Sequence, residues 1–331
     1  MNYIIESEYA GKTVKDFLRS EVKPSNRLLT LLKSRDNGIL VNDKRVTVRY
    51  ILSDGDLLSL NYEDKAGGET GEDEDRNIVP NDSLLELIKV LYEDNYIIAF
   101  NKPCGMPSHP SINHFDDTLA NAAMAYFKRK NQAINFRSVN RLDKNTSGIV
   151  LMAKNKLVSA KLNDLIKLGH IKKIYNAIII GDIDCCDEAE INRKFKNLGG
   201  VFRYDSETKS GEITAPIKRE KDSIIKRICA VDGDYSRTEF KVLDVINTGE
   251  DKKRSYLEVY PKTGRTHQIR VHFYSIGYPL AGDDWYFIDE PDNNISRLAL
   301  HASYLEFVHP VTRNNISINC DPCEDLLSIK L

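Results

Sequence analysis

An acidic, glycine-rich stretch divides this 331-residue sequence into two parts of unequal length. Residues 63–76 combine Gly with Asp and Glu and show no apolar periodicity, so they cannot bury enough surface to order themselves. We therefore predict a small domain over 1–62, a flexible acidic linker over 63–80 and a large domain over 81–331. The negative charge of the linker argues against its lying along a nucleic acid.

The composition sets the limits on possible partners. Hydrophobic residues make up 41% of the chain, enough for a true core, and the formal net charge is −2. A nucleic-acid site must therefore be a local basic patch. The start has neither a basic nor an apolar leader region, and no apolar run is long enough to cross a bilayer. We expect a cytoplasmic protein, with no membrane partner, in which Cys320 and Cys323 are reduced thiols and bind no zinc.

The small domain reads as a compact α+β unit. Thr13 is a candidate cap for a first helix, and 25–33 has the apolar spacing of a second helix with a basic polar side. Two short apolar runs around a polar turn in 38–46 indicate a hairpin. The basic side of the second helix suggests a binding role for this domain. The alternative is an ordinary small domain whose lysines are solvated.

Several apolar strands mark the large domain. We predict strands over 96–100, 149–153 and 172–181, and the alternation of 235–243 suits an antiparallel sheet with one covered face. The polar stretch 187–210 is expected to be a loop or hairpin insertion. The large domain is thus predicted as α+β, with a mixed, mainly antiparallel β-sheet flanked by helices.

The first chemical candidate is Asp143, which stands between Arg141 and Lys144 just ahead of Gly148 and an apolar strand. Neighbouring cations lower the pKa of an aspartate and keep it ionised. That state suits a nucleophile or an electrostatic anchor better than a general acid. A solvated surface turn is the alternative for such a cluster.

The second candidate is a basic helix start. Thr266 is predicted to cap a helix that ends at Gly277, and Arg265, His267 and Arg270 lie within six positions of one another. Cations at a helix N-terminus form a seat for an anion, either a phosphate or a carboxylate. An isolated basic helix start is more often simply solvated.

Three sequence motifs, which follow one another along the chain, contain these candidates. They are Arg141-Leu142-Asp143 with Thr146-Ser147-Gly148, then Lys173-x-Tyr175-x-Ala177, and then Thr263-Gly-Arg-Thr-His-Gln-Ile-Arg-Val-His272. Together they resemble the RluA-type pseudouridine synthases (RluA, RluC and RluD) along essentially the whole chain. The chain departs from the family pattern where Asn140 stands for His, Lys144 for Arg and Asn145 for Asp.

The resemblance implies roles for single residues. It makes Asp143 the nucleophile, Tyr175 the active-site tyrosine and Arg270 the partner of Asp143. It suggests that the RNA is contacted by Arg141, Lys102, Arg265 and His267. The small domain resembles the α-L RNA-binding module, which would use Arg27, Lys33 and Lys44. We expect Asn140 to alter RNA contact without abolishing chemistry.

The expected activity is isomerisation of specific uridines in RNA to pseudouridine, on a uridine flipped out of its stack. No cofactor or metal is required, and a monomer is expected. Ribosomal RNA of the large subunit is the favoured substrate by analogy, with transfer RNA as the alternative. A non-catalytic RNA-binding or ribosome-assembly protein remains possible. So does a nucleoside or nucleotide glycosidase, although hydrolysis needs two carboxylates and the motifs offer only one.

Overall fold

The protein is described by a computed structural model that covers residues 2–24, 26–61, 78–223, 225–248, 253–287, 297–322, 324 and 326. Most of the predicted linker and Cys323 lie outside this range, as do the side chains of Arg27 and Leu28. The chain forms two compact units, Met1–Gly71 and Glu72–Leu331, whose boundary falls within the stretch predicted as the linker. Among the described residues, no helix has the length and apolarity that crossing a membrane requires.

In its described residues, the first unit has a four-stranded antiparallel sheet and two α-helices. Its sheet order is β1-β4-β2-β3. Thr13 caps the first helix by accepting from Asp16, which returns a bond to the Thr13 backbone, as predicted from the sequence. Asn42 and Asp43 both have positive φ and form the tight turn of the predicted hairpin. The elements are β1 (Asn2–Ile4), α1 (Val14–Phe17), α2 (Asn26–Ser34), β2 (Ile39–Val41), β3 (Lys44–Arg45) and β4 (Leu57–Leu60).

The second unit is built on a mixed sheet to which ten of its described strands belong. The strand path is β5-β6-β7-β15-β8-β14-β13-β10-β9, and β16 pairs with β15. The β7–β15 pair is parallel, and the other described neighbours are antiparallel. The strands are β5 (Lys89–Glu93), β6 (Ile97–Lys102), β7 (Ser147–Ala153), β8 (Lys172–Ile180), β9 (Val201–Asp205), β10 (Ser210–Thr214), β11 (Ile217–Arg219), β12 (Arg227–Cys229), β13 (Arg237–Asn247), β14 (Lys253–Pro261), β15 (Leu300–Val308) and β16 (Asn315–Asn319).

Helices cover the sheet through two apolar clusters. One cluster packs Phe273 of α6 with Ile179 of β8 and Leu257 of β14. The other packs Phe127 of α3 with Phe100 of β6 and Val150 of β7. The helices of this unit are α3 (Leu119–Arg129), α4 (Lys156–Lys167), α5 (Glu188–Phe195) and α6 (Gln268–Ser275). The predicted α+β class, with its mainly antiparallel mixed sheet, is confirmed.

The stretch 187–210, expected to be a loop or hairpin insertion, contains a helix followed by the first strand of a hairpin. Asp187 caps α5 by accepting from the amide of Glu190, and Phe195 at the end of the helix is buried in the core. The chain then forms β9, which pairs with β10. The high content of charged residues hides a helix that buries little besides Phe195, which is why its polarity suggested a loop.

Gly148 secures the parallel junction at the centre of the sheet. Its φ is +111°, and a Cβ there would lie 2.2 Å from the carbonyl oxygen of Ala302 in β15. Glycine is needed for both reasons. The segment that carries Asp143 therefore leads directly into the parallel pair of β7 and β15, where only glycine fits.

Candidate active site

Asp143 lies in a cleft of about 540 Å³ in the second unit. The cleft is lined by 107–111, by 139–144, by Lys173 and Tyr175 of β8, and by the segment 263–270 at the start of α6. These parts come from distant points of the sequence and meet because β15 lies between β7 and β8. The Asp143 side chain is 29% exposed, so a molecule in the cleft can reach its carboxylate.

The wall on the β6 side holds the Asp143 loop through backbone carbonyls. The Lys102 ammonium is fully buried and donates to the carbonyl oxygens of Pro103, Met106 and Lys144 at 2.9, 2.6 and 3.1 Å. Ser108 bonds Leu142 twice, donating to its carbonyl at 2.7 Å and accepting from its amide at 3.2 Å. The segment 102–108 thus fixes the backbone on both sides of Asp143.

The proposed RNA contact by Lys102 is therefore wrong for its side chain. None of its surface is exposed, and burial lowers its pKa to about 7. Its three carbonyl partners show that its role is to join two loops. The motif Asn101-Lys102-Pro103 marks a rigid turn near the site, which is why a ligand contact was predicted. In the structure this turn supports the Asp143 loop and does not expose the Lys102 side chain.

The wall on the α6 side is built on buried charge. Arg270 donates from Nε and Nη2 to the carboxylate of Asp283 at 2.8 and 2.6 Å. Its Nη1 lies 3.7 Å from Oδ2 of Asp143, too far for a direct hydrogen bond. Burial lowers the pKa of Arg270, but the bonds and charge of Asp283 outweigh this and raise it. Arg270 therefore faces Asp143 as a fixed cation whose position is set by Asp283.

His267 is the second group that faces the nucleophile candidate. Its Nε2 lies 3.8 Å from Asp143, and its Nδ1 lies 2.9 Å from the hydroxyl of Tyr286. That hydroxyl accepts the amide proton of Arg227 at 2.9 Å, so its own proton is free to bond Nδ1. Burial lowers the pKa of His267, which favours the neutral ring. A Tyr286 hydroxyl that donates to Nδ1 places the ring proton on Nε2, toward Asp143.

Tyr175 lies where the two apolar clusters of the sheet meet and packs against both. Burial, and to a smaller extent the charge of Asp143, raises the pKa of its hydroxyl well above the ordinary value. The phenol therefore stays protonated at neutral pH, so proton abstraction by it would need help from the site. It remains available as an apolar surface for a base and as a hydrogen-bond donor.

The basic cluster expected at the start of α6 is spread over different partners. The helix begins at Gln268, and the residue before it is His267 with φ +56°, so the predicted cap at Thr266 is wrong. The Gln268 side chain makes the local hydrogen bonds instead, because its Oε1 accepts from the Thr263 hydroxyl and the Arg265 amide. The Arg265 guanidinium is exposed and pairs with Asp234 at 3.3 Å. Arg265 and Arg270 thus pair with carboxylates of the protein itself, and the anion seat stays a prediction.

The remaining predicted contacts have mixed positions. Arg141 is exposed and lines the cleft. Lys33 and Lys44 are exposed on the first unit, and the side chain of Arg27 lies outside the described residues. Nothing in their placement tests an RNA contact.

Asn140 has a clear structural task. Its Nδ2 donates to the carbonyl of Ile149 at 3.0 Å, and its Oδ1 accepts from the amide of Leu151 at 2.8 Å. Both bonds fix the segment before Asp143 against strand β7. Asn140 also lines the cleft, and its expected effect on RNA contact stays a prediction.

Sequence reasoning missed the residues that support the site. Asp283, Ser108 and Tyr286 gave no signal, and Gln268 stood in the third motif without a role, because their function depends largely on contacts distant in sequence. Trp285 also contributes, since its ring lies 5.2 Å from the guanidinium of Arg270. Within the described ranges, no group of three or more His, Cys, Asp or Glu side chains is placed to hold a metal ion.

Comparison with known proteins identifies the family. Residues 96–275 match the family described as RNA pseudouridylate synthase. An uncharacterized RNA pseudouridine synthase of Bacillus subtilis, YjbO, is 32% identical over 95% of this chain and 96% of its own length. Ribosomal large subunit pseudouridine synthase C of Vibrio vulnificus is 28% identical over 97% and 93% of the two chains.

A solved structure agrees at the level of the fold. Human RNA Pseudouridylate Synthase Domain Containing 1 superimposes with a TM-score of 0.55, covers 73% of this chain and 87% of its own, and is 22% identical. The matched segment contains Asp143, Tyr175 and Arg270. The chain therefore belongs to the RNA pseudouridylate synthase family and is an RNA pseudouridine synthase of the RluA type.

Proposed function

We propose that Asp143 is the nucleophile of uridine isomerisation and that the substrate is ribosomal RNA of the large subunit. The observation that carries the first part is that Asp143 presents an accessible carboxylate at the centre of the cleft, opposite Arg270 and His267. In the reaction the N1–C1′ bond breaks, a C5–C1′ bond forms, and the proton on C5 is replaced by one on N1. Atoms and electrons balance without a cofactor.

The residues around Asp143 suit a nucleophile that adds to the sugar or to the uracil ring. Arg270 is held by Asp283, so it stabilises the carboxylate without forming a direct bond that would block attack. The Tyr175 ring offers an apolar surface on which a flipped base can stack. Arg141, exposed at the cleft, is free to occupy the space that the uridine leaves in the RNA stack.

The glycosidase alternative loses support from the same geometry. A hydrolase would need a second carboxylate to activate water. Asp283 is close, but only 1% of it is exposed and both of its oxygens bond Arg270. It is therefore unavailable as an acid or base.

The choice of RNA rests on similarity. A relative aligned over nearly the whole chain is named as an enzyme of the large ribosomal subunit. We assign the first unit the role of an RNA-binding module, with exposed Lys33 and Lys44 as contacts. Transfer RNA is the alternative substrate, and a non-catalytic ribosome-assembly role is the alternative function.

The test is a pseudouridine map of total RNA from cells that have the gene, lack it, or carry the Asp143→Asn variant. Sites in large-subunit RNA should vanish in the last two strains, because loss of a nucleophile typically lowers turnover by ~10³-fold or more. Loss confined to transfer RNA would correct the substrate. Sites that persist with Asp143→Asn would refute the nucleophile, and an unchanged map in the deletion strain would favour the assembly role.

A further inference from the structure

Two consecutive lysines at the start of β8 have opposite environments. Side chains alternate along a strand, so Lys173 shares a face with Tyr175 while Lys172 points to the other side. Lys172 is exposed, lies 3.8 Å from Glu306 and covers the ring of Tyr304. Lys173 is half-buried and lines the cleft that contains Asp143.

The ammonium of Lys173 makes no hydrogen bond or ion pair with the described residues. Burial is also the single cause that lowers its pKa. A Cβ placed on Gly264 would lie 3.9 Å from its Nζ, so the ammonium lies beside the turn at 263–265. Removing a cation from water without a partner is unfavourable. Lys102 shows the contrast, since three carbonyls surround its ammonium.

The other cations near this turn are already engaged. Arg265 pairs with Asp234 and donates to the carbonyl of Tyr235. Arg270 is bound by Asp283. Lys173 is therefore the cation of this wall that has bonding capacity left for a ligand in the cleft, among the residues described.

We propose that Lys173 binds a backbone phosphate of the RNA next to the flipped-out uridine. An ammonium is a compact point charge with three donors and no acceptor, which matches a phosphate oxygen better than the neutral carbonyls of uracil. The missing anion is then supplied by the substrate. The inference rests on the RNA activity described above and adds to it a residue that positions the strand.

The experiment compares Lys173→Met with Lys172→Met, a matched control one residue away on the opposite face. Equilibrium binding of the full chain to protein-free large-subunit ribosomal RNA and to transfer RNA is measured over a range of KCl concentrations. Lys173→Met should weaken binding by ~3–10-fold at low salt and reduce the slope of log K against log salt by about 0.7–0.9, the value for one lost phosphate contact. Lys172→Met should leave the slope unchanged, and Lys173→Arg should retain it.

A second measurement separates phosphate binding from other roles. Single methylphosphonate linkages, which are neutral, are placed in turn around the target uridine of a short RNA. One linkage should weaken the wild type and have no further effect on Lys173→Met. Lys173→Met should also unfold at the same or a higher temperature, because the variant buries no unpaired charge.

Several outcomes would overturn the proposal. An unchanged salt slope with a reduced rate of the chemical step would assign Lys173 to the base, and no change in either would leave it a packing residue. If Lys173→Met does not fold, Lys173→Gln is measured by the same criteria. Absence of pseudouridine formation by the wild type on both RNAs would refute the substrate assignment instead, and the binding slopes would still decide the role of Lys173.

Discussion

The two walls that hold Asp143 use different physical means. On the β6 side, Lys102 and Ser108 bind backbone groups of the segments around the Asp143 loop. On the α6 side, Asp283 and Tyr286 bind the side chains of Arg270 and His267, which face the carboxylate. The first wall sets where Asp143 is, and the second sets the charge that it meets. Damage to the first should mainly change stability, whereas damage to the second should change both stability and catalysis.

The largest effect is expected when the α6 wall loses Asp283. Asp283→Asn would leave Arg270 buried without its anion, which typically costs about 3–5 kcal/mol. Arg270 would also be free to bond Asp143 directly, so turnover should fall by ~10²-fold. Chemical denaturation and single-turnover assays measure the two effects.

The exposed Asp284 provides the matched control for that variant. It lies 3.7 Å from Arg270 and is 56% exposed, so Asp284→Asn should change stability by less than ~0.5 kcal/mol. Equal effects of the two substitutions would contradict the central role of Asp283.

The next largest effect is expected in the pH dependence of stability, through a buried histidine on the α6 side. His272 of α6 is fully buried between Thr238 and the carbonyl of Ala215, and burial lowers its pKa to about 4. The unfolded chain takes up this proton near the ordinary histidine pKa, about 6.5, before the folded chain does. His272 therefore contributes full stability above pH ~6.5, and about 3 kcal/mol is lost as pH falls to ~4.

Urea unfolding of wild type and His272→Gln between pH 4 and 7 measures this loss. The difference between their free energies of unfolding should narrow toward acid. The exposed His170 supplies the control, since His170→Gln should keep the wild-type dependence. A constant difference across the range would show that the pKa of His272 is the same in the folded and unfolded states.

On the β6 wall, Lys102→Met should cost about 2 kcal/mol, because three carbonyls lose a donor while the burial of a charge is relieved. Turnover per folded molecule should stay within ~3-fold of the wild type, since no group facing the carboxylate changes. Thermal unfolding and single-turnover rates test this, with the exposed Lys89→Met on β5 as control. A turnover loss as large as that of Asp283→Asn would erase the distinction between the walls.

The smallest effect is expected for Asn140→His, which restores the residue common in the family. An imidazole cannot replace both bonds of the amide to β7, so the folded state should lose about 1 kcal/mol. RNA affinity should change little, which binding measurements would show. A tighter RNA complex of Asn140→His, with unchanged stability, would show instead that this residue acts through RNA contact.

Much of this molecule was accessible from the sequence, because local patterns and motifs carry the information. The cap at Thr13, the hairpin at 38–46 and the strands around Gly148 follow from short-range chemistry. The motifs also selected Asp143, Tyr175 and Arg270, and the structure brings Asp143 and Arg270 within 3.7 Å.

Two of the failures share one cause, which is long-range pairing. The carbonyls around Lys102 include one 42 positions away, so a cation that looked available for RNA is in fact enclosed. The motif paired Arg270 with Asp143, yet the short bonds of Arg270 go to Asp283, whose role no local pattern revealed. The polar helix α5 was missed because its few apolar residues gave a weak period.

The position of β15 between β7 and β8 also sets an order of assembly. Residues 147 and 148 pair with 301 and 302, so the centre of the sheet closes across 154 positions, nearly half of the sequence. Contacts of such high sequence separation form slowly because a long loop must close first. A ribosome-bound chain that has not yet released Leu300–Val308 can fold α3 and its strands but cannot complete the cleft. The catalytic cleft is therefore complete only once Leu300–Val308 has joined the sheet between β7 and β8.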